Sequence, residues 1–277
     1  MSDWQQGDVY SGGVRVHFYR TGQGDKTPLL LAHGFSDNGL CWTPTAQVLM
    51  DDFDVVMVDA RNHGQSDAGA ADIKSLADDL AAVVTQLELG AVSALGHSVG
   101  ASVVTALAAD YPHLVNRLLL EDPPWRQPQR EDSNPRKKRK SNKGGARPRD
   151  AAFRKLVAQM AQFSEAKMLQ HGHTQHPTWQ DADYAPWGLS NRQVSADAMA
   201  LLDMSGWQQY LQRVVCPSLL IYADAQRDGI VTPATAAWVQ QINPNVEATQ
   251  VSDAGHNIRR ENFVGFMSVV KGFLSAP

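Results

Sequence analysis

Gly96-His97-Ser98-Val99-Gly100-Ala101 decides how this 277-residue chain is read. It has the form G-x-S-x-G, and its flanks give it context. The run Ala91 to Leu95 before it is a short apolar strand, and the small-residue stretch after it is helical as far as Asp110, where Pro112 enforces a stop. A strand-to-helix turn this sharp strains its central residue, so the neighbours must be small, as Gly96, Gly100 and Ala101 are. Ser98 is then presented at the carboxyl end of its strand, beside the free N–H groups of the next helix. A hydroxyl is a weak nucleophile at neutral pH and needs a positioned base.

The strands around this turn follow a βα rhythm. Val14 to Tyr19 alternates like an early or edge strand, whereas Pro28 to Ala32 and Val55 to Val58 are continuous apolar runs that suit strands covered on both faces. Ile73 to Leu89 carries an apolar stripe at three-to-four spacing, with Asp72 as N-cap and Gly90 as stop. Leu114 to Leu120 is a further strand, ending in Glu121-Asp122-Pro123-Pro124. Residues 123–206 break the rhythm with double prolines, a helix expected over Ala151 to Leu169, and aromatic-rich segments. The core resumes with the strand Pro217 to Tyr222, a helix opened by Pro233, the strand Asn245 to Val251 and a terminal helix on Phe263, Phe266, Met267, Val270 and Phe273. The expected fold class is α/β, a mostly parallel central sheet flanked by helices. Its core is expected over 1–122 and 207–277, and a largely helical cap over 123–206.

Two further pieces complete the expected chemistry. The first strand of the parallel set runs into His33-Gly34-Phe35, so the backbone amides of Phe35 and Val99 are the candidates for holding an oxyanion, with His33 supporting the loop. His256, in Asp253-Ala254-Gly255-His256-Asn257 beyond the last strand, is the candidate base. Its imidazole needs a carboxylate. Asp228, after strand 217–222, gives the chain order Ser, Asp, His and is the preferred acid; Asp122, at the end of the strand after the Ser98 helix, is the alternative.

Taken together these landmarks resemble those of α/β-hydrolase-fold enzymes. HGFSDNG (33–39) is similar to the family's oxyanion loop, and DARNHGQSD (59–67) to the stretch commonly written D-x-R-G-x-G-x-S, with Asn62 where glycine is frequent. GHSVGA (96–101) is similar to the nucleophile elbow, DGIV (228–231) to the acid loop, and Gly255-His256 to the base. The resemblance implies a helical cap at the insertion and a serine hydrolase acting through an acyl-enzyme. Epoxide hydrolases and dehalogenases of the family usually carry aspartate at the elbow, and Ser98 argues against both. Carboxylic esters are the expected substrates, because amides have poorer leaving groups. Lactone or carbon–carbon bond hydrolysis by the same triad is one alternative, and a non-catalytic ligand-binding protein of this fold is another.

Composition sets the remaining bounds. Two cysteines, Cys41 and Cys216, form no metal pair, and no run approaches a 20-residue membrane span. The opening MSDWQQGDVY lacks a basic-then-apolar leader, so a soluble cytoplasmic protein is expected. The net charge of −4 hides an asymmetry: residues 126–155 hold twelve Lys or Arg against three acids, and the rest of the chain carries −13. The run Arg136 to Lys140 has no interleaved aromatic platform, so a solvated loop near 130–149 is expected and a nucleic-acid partner is not. Trp125, Trp179, Trp187 and Trp207 are candidates either for a substrate pocket or for the cap's own core. His171, His173 and His176 lack accompanying cysteines, and neither a metal nor another cofactor is expected.

Overall fold

The computed structural model describes residues 4–127, 148–198 and 206–276. The basic run 136–140, and with it most of the loop expected near 130–149, lies outside the described residues.

Eight strands form one sheet: β1 (Gln5–Ser11), β2 (Val14–Arg20), β3 (Thr27–Ala32), β4 (Phe53–Val58), β5 (Val92–His97), β6 (Val115–Glu121), β7 (Ser218–Tyr222) and β8 (Val246–Gln250). Their order is β1-β2-β4-β3-β5-β6-β7-β8. The pairings β1–β2 and β2–β4 are antiparallel, and every other pairing is parallel. The apolar runs of the middle strands have two destinations. Leu30 and Ala32 of β3 join one buried cluster, with α2 (Ile73–Gln86) and α3 (Val99–Asp110). Leu29 and Leu31 join the opposite one, with α1 (Thr43–Leu49) and a C-terminal helix, Phe263–Leu274. A strand covered by helices on both sides cannot alternate with polar residues, which is why PLLLA and VVMV read as they do.

Local signals place several boundaries. Asp72 caps α2 by accepting from the Ser75 amide, while Ser75 answers to the Asp72 amide, a reciprocal capping box. The helix ends at Gln86, earlier than the apolar stripe suggests, because Glu88 and Gly90 both turn to positive φ.

β1 has no counterpart in the apolar patterning, because its residues are mostly exposed; it forms by pairing along the whole of β2. The single helix expected over 151–169 is two helices, α4 (Pro148–Met160) and α5 (Glu165–Gln175), because the Ser164 hydroxyl accepts from the Lys167 amide and starts a new helix.

α4, α5 and α6 (Asp181–Gln193) are inserted between β6 and β7 as the helical cap. Met160, Met168, Trp179, Tyr184 and Trp187 form its interior. The chain returns through α7 (Trp207–Leu211), β7, α8 (Pro233–Ile242) and β8, then ends with α9 (Ile258–Glu261) and α10 (Phe263–Leu274). Among the described residues no helix is long and apolar enough to cross a membrane.

Candidate active site

Ser98 closes β5 and caps α3 with φ 52° and ψ −119°, a strained backbone for a residue bearing a side chain. The glycines around it are needed for close approach. A Cβ on Gly96 would fall on the carbonyl of Gly100, and one on Gly100 would fall on the carbonyls of Ala32 and His33. The turn is therefore wedged against the end of β3, where the His33-Gly34-Phe35 loop begins. A Cβ on Gly34 would lie 2.6 Å from Nδ1 of His97, so this loop passes directly over the turn.

His256 stands in the loop between β8 and α9, and its Nε2 is 3.0 Å from Oγ of Ser98. Its Nδ1 lies 2.7 Å from Oδ2 of Asp122. A proton on Nδ1 donated to this carboxylate leaves Nε2 free to accept the serine proton. Asp122 is fully buried and follows β6 with φ 37°. Its Oδ2 also accepts from the Ile230 amide at 2.9 Å, and its Oδ1 from the Val231 amide at 3.0 Å.

This geometry corrects the preferred acid. Asp228 sits in a left-handed turn at the end of the short helix Ala225–Arg227, and it is exposed. The loop after β7 contributes instead the Ile230 and Val231 backbone amides, both directed at the Asp122 carboxylate. Asp224 is occupied elsewhere, accepting from Gln250 and from the Asp253 amide.

Phe35, on the loop over the turn, and Val99, the first residue of α3, line one small cavity. Behind them are two buried histidines. His33 accepts from the Ala60 amide at Nε2 and donates from Nδ1 to the Gly34 carbonyl, and burial pushes its pKa down to about 3. His63 lies 2.6 Å from the Phe35 carbonyl through Nε2, and burial lowers its pKa as well. From the cap, Phe153 of α4 covers the Phe35 ring at 5.1 Å.

The four tryptophans lie in packed interiors. Trp125 is fully buried, donates to the Ser102 hydroxyl at 2.9 Å and stacks on Trp207 at 4.5 Å, against α3. Trp179 and Trp187 meet edge to face at 5.9 Å inside the cap. His171 and His176 face Trp187 and Trp179, and His173 faces Tyr184. Among the described residues no group of three His, Cys, Asp or Glu is placed to hold a metal ion.

Several contributors gave no signal in sequence. His97, the variable residue of G-x-S-x-G, donates from Nε2 to the His256 carbonyl at 3.0 Å. Burial, and then the nearby Arg259 cation, hold its pKa well below the usual histidine value. Glu121, Asp37, Arg259 and Arg260 form a buried ionic cluster beside the base. Their spacing in the chain, up to 223 residues, conceals it.

Comparison with known proteins agrees with this architecture. A curated N-formylmaleamate deformylase of Pseudomonas putida is 28% identical, over 98% of this chain and 97% of its own. The (E)-2-((N-methylformamido)methylene)succinate hydrolase of Acinetobacter baylyi is 33% identical over 40% of this chain and 42% of its own. A crystal structure of an N-formylmaleamic acid deformylase from Pseudomonas putida S16 superposes with a TM-score of 0.78 at 23% identity, covering 96% of this chain and all of that one. The model of the alpha/beta hydrolase fold matches residues 27–262, from the first parallel strand past the base to the end of α9, and the chain belongs to that family.

Proposed function

We propose that this protein hydrolyses an amide C–N bond, removing a small acyl group of the formyl type from nitrogen through an acyl-enzyme on Ser98. The observation that carries this reading is the end-to-end similarity to N-formylmaleamate deformylase. It displaces carboxylic esters as the first choice: an amide's poorer leaving group is an obstacle only where nothing protonates the departing nitrogen.

In this reading Ser98 Oγ attacks the acyl carbon as its proton passes to Nε2 of His256, 3.0 Å away. Asp122, held by the Ile230 and Val231 amides, fixes the Nδ1 proton and stabilises the imidazolium. The amides of Phe35 and Val99 receive the oxyanion, which is worth several kcal/mol in such sites. Collapse of the tetrahedral intermediate breaks the C–N bond, and His256 returns its proton to the leaving nitrogen. Water then attacks the acyl-enzyme, His256 takes its proton and gives it to Ser98 Oγ, and a small carboxylic acid departs. The Phe153 ring over Phe35 supports a confined acyl side. The same reading takes 1–122 and 207–277 as the catalytic core, 123–206 as the cap, and a small molecule as the substrate.

Formate release from a panel of N-formyl amides, run beside acetate release from p-nitrophenyl acetate, tests the proposal. Formate release by the wild type, lost in Ser98→Ala, is expected. Ester turnover without formate release would return the assignment to an esterase. Failure of a fluorophosphonate to label Ser98 would remove the serine mechanism altogether.

A further inference from the structure

Two consecutive arginines follow the base by three and four residues, and both are buried, at 3% and 2% exposure. Arg259 donates from its backbone amide and from Nη1 to the two carboxylate oxygens of Glu121, at 2.9 and 3.0 Å. Its Nη2 donates to Oδ2 of Asp37 at 2.7 Å. Arg260 donates from Nη2 to the other oxygen of Asp37 at 3.0 Å, and from Nη1 to Oδ1 of Asn257 at 3.2 Å, beside His256. Burial alone would raise the Asp37 pKa, but the two guanidiniums outweigh it and hold the carboxyl well below the usual range. Asp37 lies two residues beyond Phe35, so the oxyanion loop, the end of β6 and the base loop share one ionic cluster.

Arg260 extends that cluster into the cap. Its guanidinium carbon lies 4.4 Å over the ring of Trp179, and its Nε is 4.0 Å from Oδ1 of Asp183, at the start of α6. That Nε has no hydrogen-bond partner among the described residues. A buried arginine is tolerated only when its partners compensate for lost hydration. Here two of them, the Trp179 face and the Asp183 carboxylate, belong to the cap, while Asp37 belongs to the loop over Ser98.

We propose that Arg260 is a positioning residue that makes the geometry of the oxyanion loop depend on a docked cap. The inference rests on the hydrolase reading above for its effect on turnover. When the cap-side partners are removed, the guanidinium is free to tilt toward solvent and away from Asp37. The 34–38 loop then keeps Arg259 but loses the second of its two anchors on Asp37, and the Phe35 amide shifts relative to the Ser98 turn. Displacements of about 1 Å in such sites cost orders of magnitude in rate.

The test is a double-mutant cycle in the full-length protein, with p-nitrophenyl acetate as the probe and hydrogen–deuterium exchange of residues 34–38 as a second readout. Trp179→Leu is expected to lower kcat about tenfold with little change in KM, and to speed exchange at 34–38. In an Arg260→Lys background, which keeps the charge on Asp37 but loses the planar stack, Trp179→Leu should change kcat less than about twofold. Equal effects of Trp179→Leu in both backgrounds, or unchanged exchange at 34–38, overturn the proposal. Asp183→Asn is the second cap-side variant, run through the same cycle should Trp179→Leu unfold the cap. A wild type without Ser98-dependent turnover of either p-nitrophenyl acetate or the N-formyl amides would overturn the hydrolase reading instead, and exchange at 34–38 would still decide whether Arg260 couples the cap to the loop.

Discussion

Both carboxylate oxygens of Asp122 are engaged by donors. Its Oδ2 faces both His256 Nδ1 and the Ile230 amide, and its Oδ1 faces the Val231 amide. Asparagine at this position would set its NH2 group against a donor in either orientation, disturbing the histidine tautomer and the loop together. Asp122→Asn is therefore expected to lower kcat by roughly three to four orders of magnitude while the protein stays folded. Asp228→Asn, at an exposed position, should change kcat less than about twofold. Steady-state kinetics on the two purified variants check this, and the reverse ranking would restore Asp228. The contrast also shows where motif reading ends. Both aspartates follow strands that are neighbours in the sheet, β6 and β7, and the motif order Ser, Asp, His suits either.

The turn after β5 and the end of β3 are fitted to each other through backbone atoms that have little freedom to move. A methyl group on Gly100 meets the Ala32 and His33 carbonyls, and neither is the far end of a flexible side chain. Gly100→Ala should destabilise the protein by about 3 kcal/mol or more, or prevent soluble expression. Gly272→Ala, on α10 with open space around it, should be neutral or slightly stabilising. Urea unfolding of the pair gives the comparison, and equal stabilities would mean that the turn yields more easily than its contacts indicate. The same element level explains what periodicity could and could not show. The apolar stripe of α2 and the small residues of α3 follow from burial against the sheet. The break between α4 and α5 depends on one serine hydroxyl, and an apolar pattern carries no trace of it.

Across the molecule, burial lowers the pKa of several histidines, and this couples stability to pH. His33 falls from 6.5 to about 3, and His97 lies well below its usual value. His63 and His176 are lowered by burial too. A depressed histidine binds its proton more readily once unfolded, so stability is full above pH 6.5 and is lost as pH falls from there toward the folded pKa. By pH 5 the loss is roughly 2 kcal/mol for His33, and His97 adds to it in the same direction. Glu121 and Asp183, raised by burial, act in the opposite direction as they protonate in the folded state at lower pH. Unfolding free energies measured at pH 7.5, 6.5 and 5 should therefore decline below 6.5, with a shallower decline in His33→Asn. A flat profile down to pH 5 would mean that these rings take up protons in the folded state.

The α/β class, the strand-turn-helix around Ser98 and the loop position of His256 were legible in the sequence, because each is encoded by neighbours within a few residues. Apolar runs mark strands covered on both sides, glycines mark a backbone squeezed between carbonyls, and Asp72 with Ser75 writes a helix start. The choice of Asp122 over Asp228, the placement of four tryptophans in packed interiors and the sharing of Asp37 between Arg259 and Arg260 arise only in the folded chain. A hydrogen bond selects its partner by fractions of an ångström and by direction, and the groups concerned lie more than a hundred residues apart. Local sequence specifies which residues reach the carboxyl edge of the sheet; the packing of the loops around that edge decides which of them touch.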